Sequence, residues 1–337
     1  TFLPIVEAIA AHCPNVKSWI AMCDTDRQPA SDKLAGLVNY ETFLAGGSED
    51  FAWPQIDERT ACGLCYTSGT TGNPKGVMYT HRSTVLHAYA ESLPDVMAAS
   101  SRDSILPVVP MFHVNAWGIP YAAPLVGARL VFPGPQLDGK SLYELFESEG
   151  VTFSAGVPTV WLGLLQYMKQ ADVRFSTLKR TVVGGSACPP AMIRAFREDY
   201  GVELMHAWGM TETSPLGTLC QLQSKHLKLS EDEQHKLLEK QGHVVFGVDM
   251  KIVDDQDAEL PWDGKTYGNL LVRGPWVARE YFRGEGGDPL HYDADGAPVG
   301  ARALAPFLGP CRVIHAIDCG ALIAWQHIAH AIDANPA

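Results

Sequence analysis

Short apolar runs alternate with longer helix-like stretches along most of this chain. Such alternation predicts an α/β fold in which much of the sheet is parallel. The predicted strands are residues 61–66, 104–109, 128–132, 151–155, 180–183, 203–207, 249–253 and 269–272. The predicted helices are residues 83–92, 142–149, 159–169, 191–200 and 231–240. The start of the last helix is marked by a capping box, Ser230 with Glu233, and Gly242 lies just past its end.

One loop concentrates hydroxyls, glycines and a single lysine directly after the predicted strand 61–66. It reads Tyr66-Thr67-Ser68-Gly69-Thr70-Thr71-Gly72-Asn73-Pro74-Lys75-Gly76, and residues 76–79 lead from it toward a helix-like stretch. Glycines let backbone N–H groups approach an anion closely, hydroxyls add donors, and the lysine adds a mobile positive charge. The loop therefore predicts a cradle for polyphosphate, with an ordinary turn rich in Gly, Ser and Thr as the alternative. Its spacing is neither a Walker A loop nor a dinucleotide fingerprint.

Further segments follow this loop in a definite order. They read MFHVNAWG over 111–118, VVGGSA over 182–187, HAWGMTET over 206–213, and Gly247–Asp254 with 268–274. Together with the loop, they resemble the adenylate-forming (AMP-binding) superfamily, in its medium- and long-chain fatty acyl-CoA ligase branch, which includes ligases for 3-methylmercaptopropionate. The resemblance implies the acyl-CoA synthetase/luciferase-like ligase fold, in which a large multi-sheet domain precedes a small mobile domain.

The resemblance also implies a reaction in two halves. A carboxylate attacks the α-phosphate of ATP to give acyl-adenylate and pyrophosphate, and the thiol of coenzyme A then displaces AMP. ATP, Mg²⁺ and coenzyme A are the implied cofactors, and the implied substrate is a fatty acid or a short thioether-containing acid. Catalysis then needs hydrogen-bond donors, a lysine and a metal carboxylate rather than a protein nucleophile. The alternatives are a non-catalytic nucleotide-binding remnant and an enzyme that adenylates aryl or short-chain acids.

The same resemblance assigns a nucleotide site residue by residue. The expected nucleotide-binding residues are Thr67, Ser68, Gly69, Thr70, Thr71, Gly72, Lys75, Gly184, Gly185, Ser186, His206, Ala207, Trp208, Gly209, Met210 and Thr211. Glu212 is expected to hold Mg²⁺, with Thr70 as a second oxygen ligand, because Mg²⁺ is usually held by one or two protein oxygens plus phosphates and water. A solvated loop carboxylate is the alternative for Glu212. The expected catalytic residues are Lys75, His113, Thr211 and Glu212.

On the acyl side, the resemblance places a second group of residues around the acid. They are His113, Val114, Trp117, Gly156, Pro158, Trp161 and Trp208. His113 stands where amino-acid-activating members carry an aspartate that pairs with the α-amino group, so amino acids are disfavoured. Trp117 matches the aromatic residue that gates the acyl tunnel in the long-chain branch. Core packing is the alternative for Met111, Trp117 and Trp161, and a structural role is the alternative for His113.

Composition narrows the class of protein further. A formal net charge of −12 over 337 residues, without a cluster of Lys and Arg, argues against a nucleic-acid or anionic-membrane surface. No N-terminal signal and no bilayer-length apolar run is present, so we expect a cytoplasmic protein without a transmembrane segment. Cys62 and Cys65 lack a second pair at zinc spacing, which favours packed strand thiols over a metal or redox site.

Both ends of the chain depart from the family pattern. Residues 1–296 resemble part of the large domain, whose N-terminal portion is expected to be absent. Residues 297–337 contain no Lys and no Glu, which favours a frameshifted or non-homologous tail over a divergent ending that folds as a helix. The family's ribose-binding Asp, hinge and C-terminal lysine have no match there, so the chain as written is expected to form acyl-adenylate poorly. A homodimer is left open for the full-length protein.

Overall fold

The computed structural model describes residues 2–67, 73–285, 290–292 and 298–302. The chain divides into two compact units, Thr1–Ile56 and Asp57–Ala337. The first unit contains helix α1 (Leu3–Ile9), the parallel strands β1 (Trp19–Ala21) and β2 (Leu37–Asn39), and helix α2 (Tyr40–Ala45). The side-chain oxygen of Asn39 accepts a hydrogen bond from the Thr42 N–H at 2.7 Å and caps α2.

The second unit begins with an antiparallel hairpin, β3 (Ala61–Tyr66) and β4 (Gly76–Thr80), followed at once by helix α3 (His81–Glu91). Residues 76–79 are thus a strand that leads directly into helix α3, and a lead toward a helix is what the sequence predicted. Val77 and Tyr79 are buried while Met78 and Thr80 are only partly buried, which is the two-residue period of a strand. The predicted phosphate loop therefore connects two paired strands.

Within the described residues, a seven-stranded sheet forms the centre of this unit, in the order β11-β10-β9-β8-β7-β5-β6. Its strands are β5 (Ser104–Pro107), β6 (Arg129–Leu130), β7 (Phe153–Gly156), β8 (Arg180–Val183), β9 (Glu203–Gly209), β10 (Leu216–Cys220) and β11 (His243–Val244). Strands β5 to β9 are parallel to one another. Strand β10 pairs antiparallel with both of its neighbours, β9 and β11. The helices of this region are α4 (Val114–Trp117), α5 (Ile119–Val126), α6 (Gly139–Ser148), α7 (Pro158–Ala171), α8 (Pro190–Arg194) and α9 (Glu231–Leu238).

A second sheet follows in the chain. Its antiparallel order is β12-β13-β15-β14, with β12 (Asp249–Val253), β13 (Asn269–Arg273), β14 (Leu290–Tyr292) and β15 (Pro298–Arg302). Strand β15 is the described part of the predicted tail, and the expectation for residues 303–337 lies outside the described residues.

The predicted α/β class and most of its elements are confirmed. The strands predicted at 61–66, 180–183 and 249–253 have the observed bounds, and the Ser230 capping box is present. The strand predicted at 128–132 was too long, because β6 pairs only at Arg129–Leu130. The helix predicted at 191–200 consists of α8 followed by a π-helical turn, Ala195–Asp199.

Apolar residues fill both faces of the central sheet. Ile105 and Val182 belong to one buried cluster, whereas their chain neighbours Leu106 and Val183 belong to another. Because successive residues of a strand point to opposite faces, the two clusters lie on opposite sides of the sheet. Parallel strands covered on both faces read as continuous apolar runs, which is why the sequence showed runs rather than alternation.

Neither a membrane-crossing helix nor a metal cluster occurs in the described ranges. No helix there is long and apolar enough to cross a bilayer, and no three His, Cys, Asp or Glu side chains are grouped to hold a metal ion.

The two strand cysteines differ from each other: Cys65 is buried, as expected for a packed thiol, whereas Cys62 is exposed and contacts the Thr84 hydroxyl at 3.4 Å.

A buried ion pair joins the amino ends of β5 and β8. The Arg180 guanidinium donates to both carboxylate oxygens of Asp103 at 2.8 and 3.1 Å and to the carbonyl oxygens of Met97 and Ala98. Although burial alone would raise the pKa of Asp103, hydrogen bonds from Arg180 and Thr152 outweigh it and lower that pKa. The charged carboxylate therefore stabilises the folded state.

We expect Arg180→Met to lower the free energy of unfolding by about 3 kcal/mol at neutral pH, because it leaves the Asp103 carboxylate buried without its partner. The pKa of Asp103 is lower in the folded protein than in the unfolded chain. Its carboxylate therefore adds stability at pH values above the unfolded pKa, and this stability is lost as the pH falls through the folded pKa. The difference from wild type should thus shrink below about pH 4. Urea unfolding at several pH values measures it, with the exposed Arg102→Met as control. A pH-independent difference would contradict this account.

Candidate active site

The predicted motifs meet at one edge of the central sheet. His113 follows β5, Pro158 follows β7, Gly184 follows β8, and Thr211 follows β9. Because these strands are parallel, their carboxyl ends lie at the same edge. In open α/β sheets, ligands bind outside the carboxyl ends of the strands, so the topology alone makes this edge the candidate site.

Two tyrosine hydroxyls connect the phosphate-loop hairpin with the segment after β9. The Tyr79 hydroxyl, from β4, donates to the Thr211 carbonyl oxygen at 2.7 Å. The Tyr281 hydroxyl donates to Glu212 Oε1 at 2.7 Å, and Tyr281 also forms a β-bridge with Val77 of the hairpin. Lys75, at the end of the loop, places its Nζ 4.9 Å from the centroid of the Tyr281 ring.

The predicted lysine and the predicted metal carboxylate thus both contact Tyr281, one at the ring and one at the hydroxyl. Burial, and then the adjacent Glu212 carboxylate, raise the pKa of Tyr281, so its hydroxyl stays a donor at neutral pH. Sequence reasoning missed Tyr281, because nothing in its local pattern distinguishes it from a core aromatic residue.

Glu212 lies at the border of the protein interior, with an exposed fraction of 8%. Its backbone carbonyl accepts a hydrogen bond from the Ala278 N–H at 2.6 Å, and its Oε1 accepts the hydrogen bond from the Tyr281 hydroxyl. A carboxylate oriented in this way is the hard oxygen ligand that Mg²⁺ prefers alongside phosphate oxygens.

Thr67 and Lys75 close the base of the phosphate loop. The Thr67 N–H donates to the Lys75 carbonyl oxygen at 2.9 Å, and the Lys75 N–H donates to Thr67 Oγ1 at 3.0 Å. The loop residues predicted to contact phosphate, Ser68, Gly69, Thr70, Thr71 and Gly72, lie outside the described residues. Their roles, including Thr70 as a metal ligand, stay predictions.

A tight turn positions Thr211 and Glu212. The Met210 N–H donates to the Pro215 carbonyl oxygen at 3.1 Å, and the Ser214 hydroxyl donates to the Trp276 carbonyl oxygen at 2.7 Å. Gly209 is required here, since a Cβ at this position would lie 2.1 Å from the Pro215 carbonyl oxygen. Gly209 and Met210 therefore shape this turn.

The predicted adenine-side residues divide into exposed and supporting ones. Gly185 and Ser186 are exposed at the sheet edge, and Gly185 has a positive φ of 78°. His206 is instead buried, accepts a hydrogen bond from the Cys188 N–H at 3.3 Å, and has a pKa lowered by burial. It therefore supports the turn after β8 as a neutral side chain.

Trp208 and Ala207 are also buried in β9. The Trp208 indole lies over Gly217 of β10, where an added Cβ would be 2.5 Å from the ring. This packing places most of the ring in the core, so stacking on the base and lining the acyl site both stay predictions.

On the acyl side, His113 is exposed and precedes α4, whereas Val114 and Trp117 are buried. The Trp117 indole packs on Gly184, where an added Cβ would lie 3.2 Å from the ring. Acyl-side and adenine-side motifs are therefore in direct contact. Met111 is 58% exposed, so core packing does not account for it.

The backbone that carries Trp117 is strained. Four consecutive residues, Val114 to Trp117, have φ between 48° and 60°, and Gly118 follows with φ 84°. A left-handed conformation costs a non-glycine residue about 1–2 kcal/mol. Such conformations persist where the surroundings determine them, and they cluster at ligand-binding sites.

Trp161 lies deeper than the sequence analysis expected. It is fully buried, with ring centroids 6.2 Å from Phe146 and 6.1 Å from Phe196. Gly156 faces its indole, because a Cβ there would lie 2.7 Å from the ring. Pro158 is buried as the first residue of α7. The geometry favours core packing for Trp161, the alternative left open by the sequence.

Comparison with known proteins identifies the family of this chain. Residues 7–282 match the family model described as "AMP-binding enzyme". The chain belongs to the AMP-binding enzyme family, as its motifs predicted.

Particular relatives make the likeness more specific. The chain is 52% identical over 290 residues to a medium-chain-fatty-acid–CoA ligase of Ectopseudomonas oleovorans, covering 86% of this chain and 53% of the relative. It is 52% identical over 283 residues to a 3-methylmercaptopropionyl-CoA ligase of Ruegeria lacuscaerulensis, covering 84% and 52%. The chain thus spans about half the length of the curated relatives it matches.

A solved structure shares the fold. The anthranilate CoA ligase AuaEII, crystallised with anthranoyl-AMP, superposes with a TM-score of 0.71 at 22% identity, covering 89% of this chain and 57% of that one. The predicted fold class, the large α/β domain of acyl-CoA synthetase-like ligases, is confirmed.

Proposed function

We propose that the full-length protein activates a fatty acid, or a short thioether-containing acid, with ATP and Mg²⁺. The acid forms acyl-adenylate and pyrophosphate, and coenzyme A then takes the acyl group and releases AMP. The observation that carries this proposal is the contact of Lys75 and Glu212 with opposite parts of Tyr281, at the edge where the parallel strands end.

The described residues fit a magnesium nucleotide. Glu212 would hold Mg²⁺ through a carboxylate oxygen, since one protein carboxylate together with phosphate oxygens is a usual magnesium site. Bound Mg²⁺ would neutralise charge on the phosphates. Lys75 and the hydroxyls of the loop would hold the β- and γ-phosphates, and Thr211 would donate to the α-phosphate.

The acyl side supports a carboxylic acid without an amino group. His113 offers no negative charge to an ammonium group, and it is exposed where the acid and the α-phosphate would meet. The names of the two relatives at 52% identity, a medium-chain fatty acid ligase and a 3-methylmercaptopropionate ligase, support the same substrate classes. The chain length of the acid stays open, because one methylene in an apolar pocket changes binding by only about 1–3 kcal/mol.

The test is acid-dependent exchange of labelled pyrophosphate into ATP by the full-length protein. Octanoate, decanoate and 3-methylmercaptopropionate should support exchange, whereas benzoate and glycine should not. Exchange with benzoate alone would support an aryl-acid enzyme. Thermal stabilisation by Mg-ATP without exchange for any acid would instead support a non-catalytic nucleotide-binding protein.

We expect Tyr281→Phe to lower kcat/KM for ATP about tenfold, because Glu212 loses a hydrogen bond to a carboxylate, worth about 1.5–3 kcal/mol. The Mg²⁺ concentration for half-maximal rate should rise, while the KM for the acid should stay within about twofold of wild type. Initial rates over a Mg²⁺ series measure this. Tyr267→Phe, at an exposed tyrosine, is the control. An unchanged magnesium dependence would exclude a positioning role for Tyr281.

The homodimer and the cytoplasmic location stay predictions. Sedimentation velocity of the full-length protein and cell fractionation would test them.

A further inference from the structure

A buried histidine and glutamate lie beneath the candidate site, and no motif of the sequence analysis contains them. His87 and Glu91 are one helical turn apart on α3, with exposed fractions of 2% and 0%. His87 Nδ1 is 3.8 Å from Glu91 Oε1. Among the described residues, neither oxygen of Glu91 has a hydrogen-bond donor. A buried polar group without a partner is costly, so its presence calls for an explanation.

The His87 imidazole is neutral, so the two side chains do not form an ion pair. The Leu216 N–H donates to His87 Nε2 at 3.1 Å, so that nitrogen carries no proton. Burial lowers the pKa of His87 to about 3, which leaves a neutral imidazole with its proton on Nδ1, toward Glu91. Burial raises the pKa of Glu91, which disfavours the charged form of its carboxyl group.

On one side, His87 holds the nucleotide-side loop, residues 209–216. The Leu216 backbone, which follows Glu212 in this loop, donates its N–H to His87 and accepts a hydrogen bond from Trp276 Nε1 at 2.9 Å. The Trp276 indole meets the His87 imidazole edge-on, with centroids 5.8 Å apart. The end of the loop that carries Glu212 is therefore fixed to α3.

On the other side, the same pair lies against the acyl-side turn, residues 113–118. A Cβ at Gly118 would lie 2.6 Å from His87 Nδ1 and 2.9 Å from Glu91 Oε2. Gly118 ends the left-handed run that carries Trp117. Because a strained turn keeps its conformation only when neighbouring groups determine it, the pair is placed to hold this turn.

We propose that His87 and Glu91 are positioning residues that link the acyl-side turn to the nucleotide-side loop, so that nucleotide binding changes the affinity for the acid. The inference rests on the proposed function, in which a fatty carboxylate occupies the turn and a magnesium nucleoside triphosphate occupies the loop. Neither residue touches a reacting atom. Their effect is therefore a coupling between two binding events.

The first test measures that coupling in the full-length protein. Decanoate binding is titrated calorimetrically with and without Mg²⁺ and α,β-methylene-ATP, which prevents adenylate formation. The nucleotide should change decanoate affinity about tenfold in wild type and in Glu91→Gln, which keeps the shape and a polar side chain beside His87. In Glu91→Leu, which keeps the volume and removes the polar group, the factor should fall below about threefold. Equal coupling in all three proteins would overturn the proposal.

Alanine variants of two glycines distinguish the effect of the contact between Gly118 and the His87–Glu91 pair from the effect of backbone strain. Gly118 and Gly127 lie at the two ends of α5 with φ of 84° and 73°, so an alanine is strained at both positions. A Cβ at Gly127 has only the Ser101 Cβ nearby, at 3.8 Å. Gly118→Ala should abolish the coupling, and Gly127→Ala should retain it. Loss of coupling in both variants would attribute the effect to strain and overturn the role of the pair.

The second test needs no ligand and decides the inference even if the proposed function fails. In Glu91→Leu, the melting temperature should not fall, because an unpartnered buried carboxyl group is removed. Amide hydrogen exchange of residues 113–118 should nevertheless become several-fold faster. Unchanged exchange in this turn, or faster exchange throughout the second unit with a lower melting temperature, would overturn the inference. If wild type bound neither the nucleotide nor decanoate, the proposed function would fail, and the exchange result alone would decide the inference.

Discussion

Glu212→Gln is expected to lower kcat for acid-dependent pyrophosphate exchange about 10²–10³-fold, the range for removing a group that stabilises transition-state charge. An amide keeps the shape and can still accept the Tyr281 hydrogen bond at its oxygen, but it withdraws the negative charge that Mg²⁺ requires. The fold should be retained, because the amide fills the same space and keeps the Tyr281 hydrogen bond. We expect the melting temperature to stay within about 3 °C of wild type.

The measurement is the exchange rate over a wide Mg²⁺ range in the full-length protein. Glu203→Gln is the matched control, since Glu203 is an exposed carboxylate at the other end of the same strand, β9. The control should keep wild-type rates. A Glu212→Gln rate within threefold of wild type at limiting Mg²⁺ would identify Glu212 as a solvated loop carboxylate, the alternative that the sequence left open.

Gly209→Ala is expected to lower the free energy of unfolding by about 3 kcal/mol. The added Cβ would lie 2.1 Å from the Pro215 carbonyl oxygen and 2.7 Å from its carbonyl carbon. These are backbone atoms, so no flexible side chain can move aside. The turn that carries Thr211 and Glu212 must open, and binding of Mg-ATP should weaken together with stability.

Denaturant unfolding and Mg-ATP titration of the variant measure both effects. Gly163→Ala in α7 is the control of opposite sign, because a Cβ there meets no heavy atom within 4 Å. Removing a glycine from a helix interior should raise the free energy of unfolding by about 0.5–1 kcal/mol. A Gly209→Ala protein as stable as wild type would show that the turn relaxes freely.

Local pattern predicted much of this protein because its elements depend on local chemistry. Buried parallel strands read as apolar runs, and residues 180–183 were assigned with their observed bounds. The antiparallel strand 249–253 was assigned with its observed bounds as well. The order of the motifs also identified the family. Parallel topology then accounts for the meeting at one sheet edge of the segments that follow β5, β7, β8 and β9.

The tertiary structure decided what depends on partners distant in the chain. The Tyr79 hydroxyl and the Thr211 carbonyl are 132 positions apart, and Tyr281 reaches Glu212 across 69. No periodicity records such contacts. Burial likewise separated the exposed His113 from the core residue Trp161, although both had been assigned to the acid.

The sequence by itself determined the fold class, the family and the chemical types of residue at the site. Only the tertiary structure decided which of them face the candidate site and which support it, as His206 does, and only it revealed the contacts of Tyr281 and of His87 with Glu91. The physical reason is that strands and helices follow from local backbone preferences and apolar spacing. Desolvation and hydrogen-bond partners are instead set by chain segments that meet only in the folded state.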